Sequence, residues 1–249
     1  MSIVHEPLAA TDRYTLHLAS EPAQVKAAQR LRFEVFNLEM GEGLAGSAAL
    51  GLDVDAFDEV CDHLLVTETS SGAVVGTYRL QTGKKAAAGI GYYSAQEFDF
   101  SPFEFARAEI LELGRACVAQ AHRNQSVLGL LWKGLARHAQ VQGARYLIGC
   151  SSLTSQDPAQ GLAAYAQLAG KYLAPSPWRT SPLPGRECRA ESVSAEVVVP
   201  IPRLMFAYLA AGAKICGTPV LDKEFGTIDF LTWMDLQSMP ARVLRKFMG

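Results

Sequence analysis

The chain has 249 residues, of which 49% are hydrophobic and 19% charged, and its formal net charge is −2. This composition suffices for the buried core of one large domain or two small ones. Residues 116–190 carry eight Lys or Arg against two Asp or Glu, which predicts a local anionic partner. We expect no nucleic acid partner, because the sequence has no zinc-finger or aromatic-rich RNA-binding motif.

The first half of the chain is predicted to form a strand, a helix and a hairpin. Alternating apolar residues predict a strand over 14–20, and an apolar stripe after Pro22 predicts a helix over 21–40. Residues 62–69 and 73–82 are rich in β-forming residues around a short Ser/Gly turn, which predicts a hairpin. Residues 41–55 and 83–91 are predicted to be loops. The aromatic stretch 92–105 is expected to be irregular or briefly helical.

The second half of the chain alternates between predicted strands and helices. Gly143 is expected to end one helix, and Asp157 with Pro158 to begin the next. The alternation indicates a mixed α/β sheet with helices on both faces. The predicted elements are strands over 108–118, 144–153, 195–202 and 227–236, and helices over 126–143, 157–173 and 202–215, with an irregular Pro-rich segment over 174–188.

The cysteines favour a reducing compartment. Their number, five, is odd, and no two of them have CxxC spacing, so we expect neither a disulfide framework nor a metal site. The first 15 residues lack the basic and apolar regions of a signal peptide. The apolar run "LMFAYLAAGA" is about half the length that spans a bilayer. We therefore expect a cytoplasmic protein.

A polar, basic turn lies between the strand that ends at Val118 and the following helix. The first N–H groups of a helix lack intrahelical partners and carry partial positive charge, so such a turn can bind an anion. Arg123 adds a full charge, and Gln125 or Ser126 is expected to cap the helix. An ordinary strand–helix junction would have the same sequence, and both interpretations stay open.

Several short motifs, taken in order, resemble a known family. The turn Arg123–Leu128 is similar to the [RQ]xxGx[GA] motif of the GNAT acyltransferase superfamily, with Ser126 and Leu128 in place of its two small residues. The RxxxF, DxxD and ExxR spacings resemble those of the acyl-homoserine lactone synthases. Longer segments resemble still more the ornithine-acyl carrier protein N-acyltransferases and the hemolysin-like N-acyl amino acid synthases. These segments are "FDEVCDHLLV", "ELGRACV", "LLWKGLARH", "RYLIGCSSL" and "FGTIDFLTWMDL".

The resemblance implies a GNAT-like fold with a mixed, mostly antiparallel sheet flanked by helices. It further implies a single domain over residues 1–249, with 190–249 as an extension packed on the core. The implied activity is transfer of a fatty acyl group, a class that includes 3-hydroxyacyl groups, to the α-amine of an amino acid. Ornithine is the leading acceptor, and glycine and other amines stay open. The implied donor is the 4′-phosphopantetheine arm of an acyl carrier protein, with no permanently bound cofactor or metal.

The resemblance also assigns roles to residues. Glu112 is expected to be the general base, with its pKa raised by an apolar pocket, and Glu39 is the second choice. The backbone N–H of Val118 is expected to polarise the thioester carbonyl. Five charged residues are expected to bind substrate, with Arg79 as the carboxylate fork, or else to form a structural network: Arg32, Asp55, Asp58, Arg79 and Arg115. Residues expected to hold the phosphopantetheine are Arg123, Asn124, Gln125, Ser126 and Val127.

The acyl donor, two further candidate residues and two alternative functions stay open. The missing glycines of the turn favour a carrier-protein donor over coenzyme A, whose diphosphate needs close approach to the backbone. His63 is a further candidate base with a structural alternative, and Tyr165 a candidate acid for the leaving thiolate. An acyl-homoserine lactone synthase that uses S-adenosylmethionine is the second enzyme interpretation. A non-catalytic sensor of loaded carrier protein is the third. Peripheral contact with the inner face of the membrane is a further expectation.

Overall fold

The protein divides into two compact units in a computed structural model that describes residues 6–190 and 198–248. Unit 1 comprises Met1–Gln81, Leu113–Gly143 and Ala241–Gly249, and unit 2 comprises Thr82–Glu112 and Ala144–Pro240. The chain passes from unit 2 into unit 1 inside one strand, between Glu112 and Leu113. The single domain expected from the sequence stays a prediction.

The regular elements follow the predicted alternation of strands and helices. The strands are β1 (Ala9–Ala10), β2 (Tyr14–Leu18), β3 (Asp62–Glu68), β4 (Val74–Thr82), β5 (Ile110–Val118), β6 (Tyr146–Leu153), β7 (Lys214–Ile215), β8 (Val220–Asp222) and β9 (Thr227–Asp235). The helices are α1 (Pro22–Phe33), α2 (Ser47–Leu50), α3 (Gly83–Ala88), α4 (Gln125–Gln142), α5 (Pro158–Tyr172), α6 (Arg203–Ala211) and α7 (Ala241–Met248).

Unit 1 is built on an antiparallel sheet. Strands β1 to β4 pair in sequence order, and the predicted hairpin is β3 with β4. Helix α4 packs over β2 and β3. The approach is close because α4 has a glycine there. A Cβ at Gly134 would lie 2.9 Å from side-chain methyl groups of both Leu16 and Leu64.

The helix predicted over 21–40 changes its winding part of the way along. Helix α1 continues into a π-helical segment, Glu34–Met40, which ends at Gly41 with φ +69°. The wider turn of a π-helix shifts the side chains that follow it, and such segments recur at functional sites. Here it carries Glu39, one of the two candidate bases.

Unit 2 contains the parallel part of the sheet. Strand β5 pairs with β6 in parallel over Ile110–Glu112, and β9 pairs antiparallel with β6, β7 and β8. The aromatic segment 92–105 supplies much of the core on one face of this sheet, against Trp178 and Trp233, whose rings stack at 4.7 Å. The structure thus shows a mixed, largely antiparallel sheet flanked by helices, as the sequence indicated.

Four predicted elements are wrong or incomplete. Residues 41–55, expected to be a loop, contain the short helix α2 (Ser47–Leu50). Residues 83–88, expected to be a loop, form α3, because Thr82 caps it through the backbone N–H of Lys85 and the following residues are good helix formers. The helix expected over 202–215 ends at Ala211, because Gly212 at φ +112° turns the chain into β7. Of the strand expected over 195–202, residues 195–197 lie outside the described residues. Residues 198–202 form no strand, since Pro200 and Pro202 cannot donate ladder hydrogen bonds.

Other predictions of local structure are confirmed. Gly143, at φ +68°, ends α4, and Asp157 caps α5 with Pro158 in the first turn. Among residues 6–190 and 198–248, no helix combines the length and the apolar character needed to cross a bilayer.

Candidate active site

Charged residues from four segments of unit 1 form one buried network. Arg32 on α1 is 0% exposed. Its Nε donates to Asp53 Oδ2 at 3.0 Å, and its Nη2 donates to Asp58 Oδ2 at 2.6 Å. Nη2 also donates to the carbonyl oxygen of Asp53 at 2.5 Å. One arginine thus joins α1 to the segment that precedes β3.

Two further arginines, from β4 and β5, complete the network. Arg79 Nη1 donates to Asp55 Oδ1 at 2.5 Å and to Asp58 Oδ1 at 3.0 Å. Arg115 Nη2 donates to Asp55 Oδ2 at 3.1 Å, and its Nε lies 3.3 Å from Asp53 Oδ2. Because buried charges are tolerated only when paired, this geometry supports the structural-network interpretation of these five predicted residues.

Asp53 is a network residue that the sequence analysis missed. It is 0% exposed and pairs with both Arg32 and Arg115. The signal was present in the sequence, because Asp53 lies two residues before Asp55 in the same stretch as the DxxD motif. With Asp53, the network contains three aspartates and three arginines, so their formal charges balance.

One residue of the network has a strained backbone conformation. Arg115 has φ +50°, a left-handed conformation that costs a non-glycine residue of order 1–3 kcal/mol. It interrupts the alternation of β5, which by parity alone would place Glu112 and Arg115 on opposite faces.

Arg32 and Arg79 hold the pKa of Asp58 well below its usual range, although burial opposes this.

His63 supports this network through its backbone partner. Its Nε2 lies 3.1 Å from the carbonyl oxygen of Asp58, and burial lowers its pKa. A buried, neutral histidine bonded to the main chain fits the structural role that the sequence left open.

The turn before α4 contains an ion pair between two predicted site residues. Arg123 Nη1 and Nη2 donate to the two carboxylate oxygens of Glu39 at 2.5 and 2.7 Å, and Arg123 Nε donates to the carbonyl oxygen of Val118 at 3.1 Å. The pair is partly exposed, with 43% of the Arg123 side chain and 28% of the Glu39 side chain accessible. A phosphate that binds Arg123 would compete with Glu39.

Asn124 caps α4, which corrects the expectation that Gln125 or Ser126 does so. Its Oδ1 accepts from the backbone N–H groups of Ser126 and Val127 at 3.0 and 3.1 Å. Its Nδ2 donates to the Tyr14 hydroxyl at 3.2 Å, and that hydroxyl lies 3.0 Å from His122 Nδ1. Gln125 and Ser126 are therefore the first residues of the helix rather than its cap.

Glu112 lies in unit 2 and is almost fully buried, at 4% exposure. Its two carboxylate oxygens accept from the backbone N–H groups of Tyr93 and Ser94 at 2.9 and 2.8 Å. The structure thus positions Glu112 by the loop that follows α3.

A second acidic cluster near Glu112 was not predicted from the sequence. Glu97, Cys150 and Asp229 place their ligand atoms within 4.8 Å of one another. The Cys150 thiol donates to Glu97 Oε2 and to Ser94 Oγ, both at 3.5 Å. These residues are far apart in the sequence, and no motif linked them.

Comparisons with known proteins identify related sequences. Residues 31–133 match the family described as "Acetyltransferase (GNAT) domain". The L-ornithine N(alpha)-acyltransferase of Brucella abortus (strain 2308) is 32% identical over 243 residues, covering 92% of this chain and 86% of that protein. The L-ornithine N(alpha)-acyltransferase of Agrobacterium fabrum (strain C58) is also 32% identical, over 93% of this chain and 84% of that protein.

The fold has a counterpart among solved structures. The structure of the AHL synthase LasI superposes with a TM-score of 0.53 at 12% identity, covering 96% of both chains. This similarity concerns the fold alone, whereas the sequence similarity to the ornithine acyltransferases extends over nearly the whole chain. The chain has the GNAT fold, and it belongs to the family of the L-ornithine Nα-acyltransferases.

Proposed function

We propose that this protein transfers a fatty acyl group from the 4′-phosphopantetheine thioester of an acyl carrier protein to the α-amine of ornithine. The observation that carries the proposal is 32% identity to proteins named L-ornithine N(alpha)-acyltransferase over more than nine tenths of the chain. The alternative of an acyl-homoserine lactone synthase has support from the fold alone, which many activities share.

The chemistry needs a proton acceptor for the amine. The neutral α-amine attacks the thioester carbonyl carbon, the C–N bond forms as the C–S bond breaks, and the carrier thiol leaves. The proton lost by the amine passes to Glu112, and from there to the departing thiolate or to water. Glu112 is the first choice for this base, because the carboxylate of Glu39 is held in an ion pair with Arg123, whereas that of Glu112 accepts from neutral backbone N–H groups.

The donor site is proposed at the turn before α4. Arg123 would bind the phosphate of the phosphopantetheine arm, with residues 124–127 beside it and the Val118 N–H directed at the thioester carbonyl. The basic segment 116–190 suits an acidic carrier protein. We further propose a cytoplasmic protein that contacts the inner face of the membrane, where a lipid product would partition.

Reconstitution with purified components tests the proposal. The protein is incubated with 3-hydroxyacyl carrier protein or the matching acyl-coenzyme A, and with ornithine, glycine or S-adenosylmethionine, and products are identified by mass spectrometry. Formation of Nα-acyl-ornithine with the carrier-protein donor is expected. An acyl-homoserine lactone would show the synthase activity instead, and bound donor without thiol release would show a non-catalytic binding protein.

A further inference from the structure

Unit 2 contains a buried acidic cluster that the proposed chemistry does not use. Glu97 is 3% exposed, Asp229 4% and Asp222 4%. Cys150 lies with Glu97 and Asp229, and the ligand atoms of these three residues all lie within 4.8 Å of one another. Burying two ionised carboxylates side by side is unfavourable, so either one of them is protonated or a positive charge lies between them. Asp222 is stabilised separately, because its Oδ1 accepts from the backbone N–H groups of Glu224 and Phe225.

The sheet register explains why these residues meet. Cys150 on β6 pairs with Leu231 on β9, so Asp229, two residues away, lies on the same face of the sheet. Asp222 on β8 pairs with Thr227, which precedes Asp229 by two residues and shares that face. The loop that carries Glu97 covers this face, and its carbonyl oxygen accepts from the backbone N–H of Leu183 at 2.7 Å.

The electrostatics show a site that favours a cation. Burial, followed by the charges of Asp229 and Asp222, raises the pKa of Glu97 to about 9. Arg186 opposes this rise, but its Nη2 also lies 3.7 Å from Glu224 Oε1. At neutral pH the Glu97 carboxyl is therefore protonated, and a bound cation would restore its ionised form.

A buried hydroxyl gives independent evidence for a ligand. Thr227 is 0% exposed, and its Oγ1 has no hydrogen-bond partner among the described residues. A buried hydroxyl without a partner costs stability, which makes an orphan group informative. Because Thr227 lies opposite Asp222 and on the Asp229 face, its hydroxyl adds an unused hydrogen-bonding group to the wall of the cluster.

The state of Cys150 distinguishes an ammonium from a metal ion. A metal that used this sulfur would need the thiolate, whereas the Cys150 thiol donates hydrogen bonds to Glu97 Oε2 and Ser94 Oγ, both at 3.5 Å. Burial and the neighbouring Glu97 and Asp229 raise the pKa of this thiol well above its usual value. An ammonium group needs only acceptors, and the carboxylate oxygens of Glu97 and Asp229 and the hydroxyl of Thr227 are acceptors. The cluster therefore fits an ammonium ion better than a metal.

A single residue, Ser94, contacts both Glu112 and the cluster. The backbone N–H of Ser94 donates to Glu112 Oε1 at 2.8 Å, and Ser94 Oγ accepts from Cys150 Sγ at 3.5 Å. We propose that Glu97 and Asp229, with Thr227, bind the side-chain ammonium of the acceptor and so select a diamino acid such as ornithine. This inference rests on the proposed function, in which Glu112 receives the proton of the α-amine.

Acceptor kinetics test the proposal. Norvaline has the ornithine side chain without its terminal amine, so it should be acylated far more slowly, because the buried carboxylates would lose their partner. Glu97→Gln and Asp229→Asn should each lower kcat/KM for ornithine roughly ten- to hundredfold, mainly through KM, and should slow the acylation of norvaline much less. Glu104→Gln, which removes an exposed carboxylate of the same unit, is the control and should change neither rate.

A binding measurement separates this inference from the proposed function. Titration calorimetry of the whole protein with ornithine at pH 8, in two buffers of different ionisation enthalpy, should show more proton release for wild type than for Glu97→Gln. The variant should unfold at the same or a higher temperature, because it mimics the protonated carboxyl. Failure to acylate any amine, with this proton release retained, would refute the proposed function alone. Equal acylation of ornithine and norvaline by wild type, or equal loss of both in the variants, would refute the ammonium site.

Discussion

Arg32 and Asp58 form an ion pair inside unit 1, with Nη2 and Oδ2 2.6 Å apart and side chains 0% and 3% exposed. The same aspartate accepts from Arg79 at 3.0 Å, so the removal of its charge would leave two buried guanidiniums short of a partner. The ion pair therefore links α1 to the segment before β3, and the contact of Asp58 with Arg79 links that segment to β4.

Asp58→Asn should destabilise the protein strongly. Breaking one side of a buried pair costs about 3–5 kcal/mol, because the remaining charge stays buried. Urea unfolding followed by circular dichroism measures the loss. Arg13→Gln, which removes an exposed pair with Glu68, is the matched control and should change the midpoint little. Equal midpoints for both variants would contradict the structural role of the network.

Lowering the pH should destabilise the fold through protonation of Asp58. The pKa of Asp58 is lowered in the folded protein from its ordinary value of 3.8. Its contribution to stability is therefore complete above pH 3.8 and is lost progressively as the pH falls below that value. The free energy of unfolding between pH 5 and 2.5 should fall more steeply in wild type than in Asp58→Asn. Parallel curves would show that other groups dominate acid unfolding.

Asn124→Ala should remove the cap of α4. Loss of an N-cap side chain costs about 1 kcal/mol, which in a protein of this size lowers Tm by roughly 2–4 °C. Asn124→Asp keeps the acceptor for the Ser126 and Val127 N–H groups and should recover most of this loss. Differential scanning calorimetry measures both variants, and an unchanged Tm in Asn124→Ala would show that water replaces the cap at no cost.

The pair of Arg123 and Glu39 should reveal the donor site through kinetics rather than stability. Arg123→Gln should raise KM for the acyl carrier donor several-fold with little change in Tm, because exposed pairs contribute only about 0–1 kcal/mol. Glu39→Gln releases the guanidinium and should lower that KM or leave it unchanged. A large fall in kcat for Glu39→Gln would instead identify Glu39 as the base.

Glu112→Gln tests the base assignment directly. A positioned general base contributes about 10²–10⁴-fold to the rate, so kcat with saturating donor and ornithine should fall within that range. Glu112→Asp, a shorter carboxylate, should retain more activity than the amide. Full turnover in Glu112→Gln, measured by release of the carrier thiol, would exclude Glu112 as the base.

Local sequence signals predicted most of the elements in this fold. Gly143 and Asp157 end and begin helices through backbone geometry and hydrogen bonds that span a few residues. The β-forming residues on both sides of the Ser/Gly turn mark the hairpin of β3 and β4. The failures also have local causes. The prolines at 200 and 202 outweigh the β-forming valines before them, and Thr82 caps a helix where small residues and glycines suggested a loop.

The candidate site was predictable only in part. The ordered motifs indicated that Arg32, Asp55, Asp58, Arg79 and Arg115 belong together, and the structure joins all five in one network. The motifs did not reveal which atoms pair, nor that Arg123 binds Glu39, whose positions differ by 84 in the sequence. Such contacts depend on the packing of whole elements.

The sequence by itself determined where most helices and strands lie, that charged residues must be paired within an apolar fold, and the family to which the chain is related. Only the tertiary structure decided that Asp53 completes the network, that Arg123 pairs with Glu39, and that Glu97, Cys150 and Asp229 share one buried cluster. The physical reason is the sequence distance over which each interaction acts. Caps and alternation act over a few residues, whereas ion pairs and buried clusters join groups that only sheet register and packing bring together.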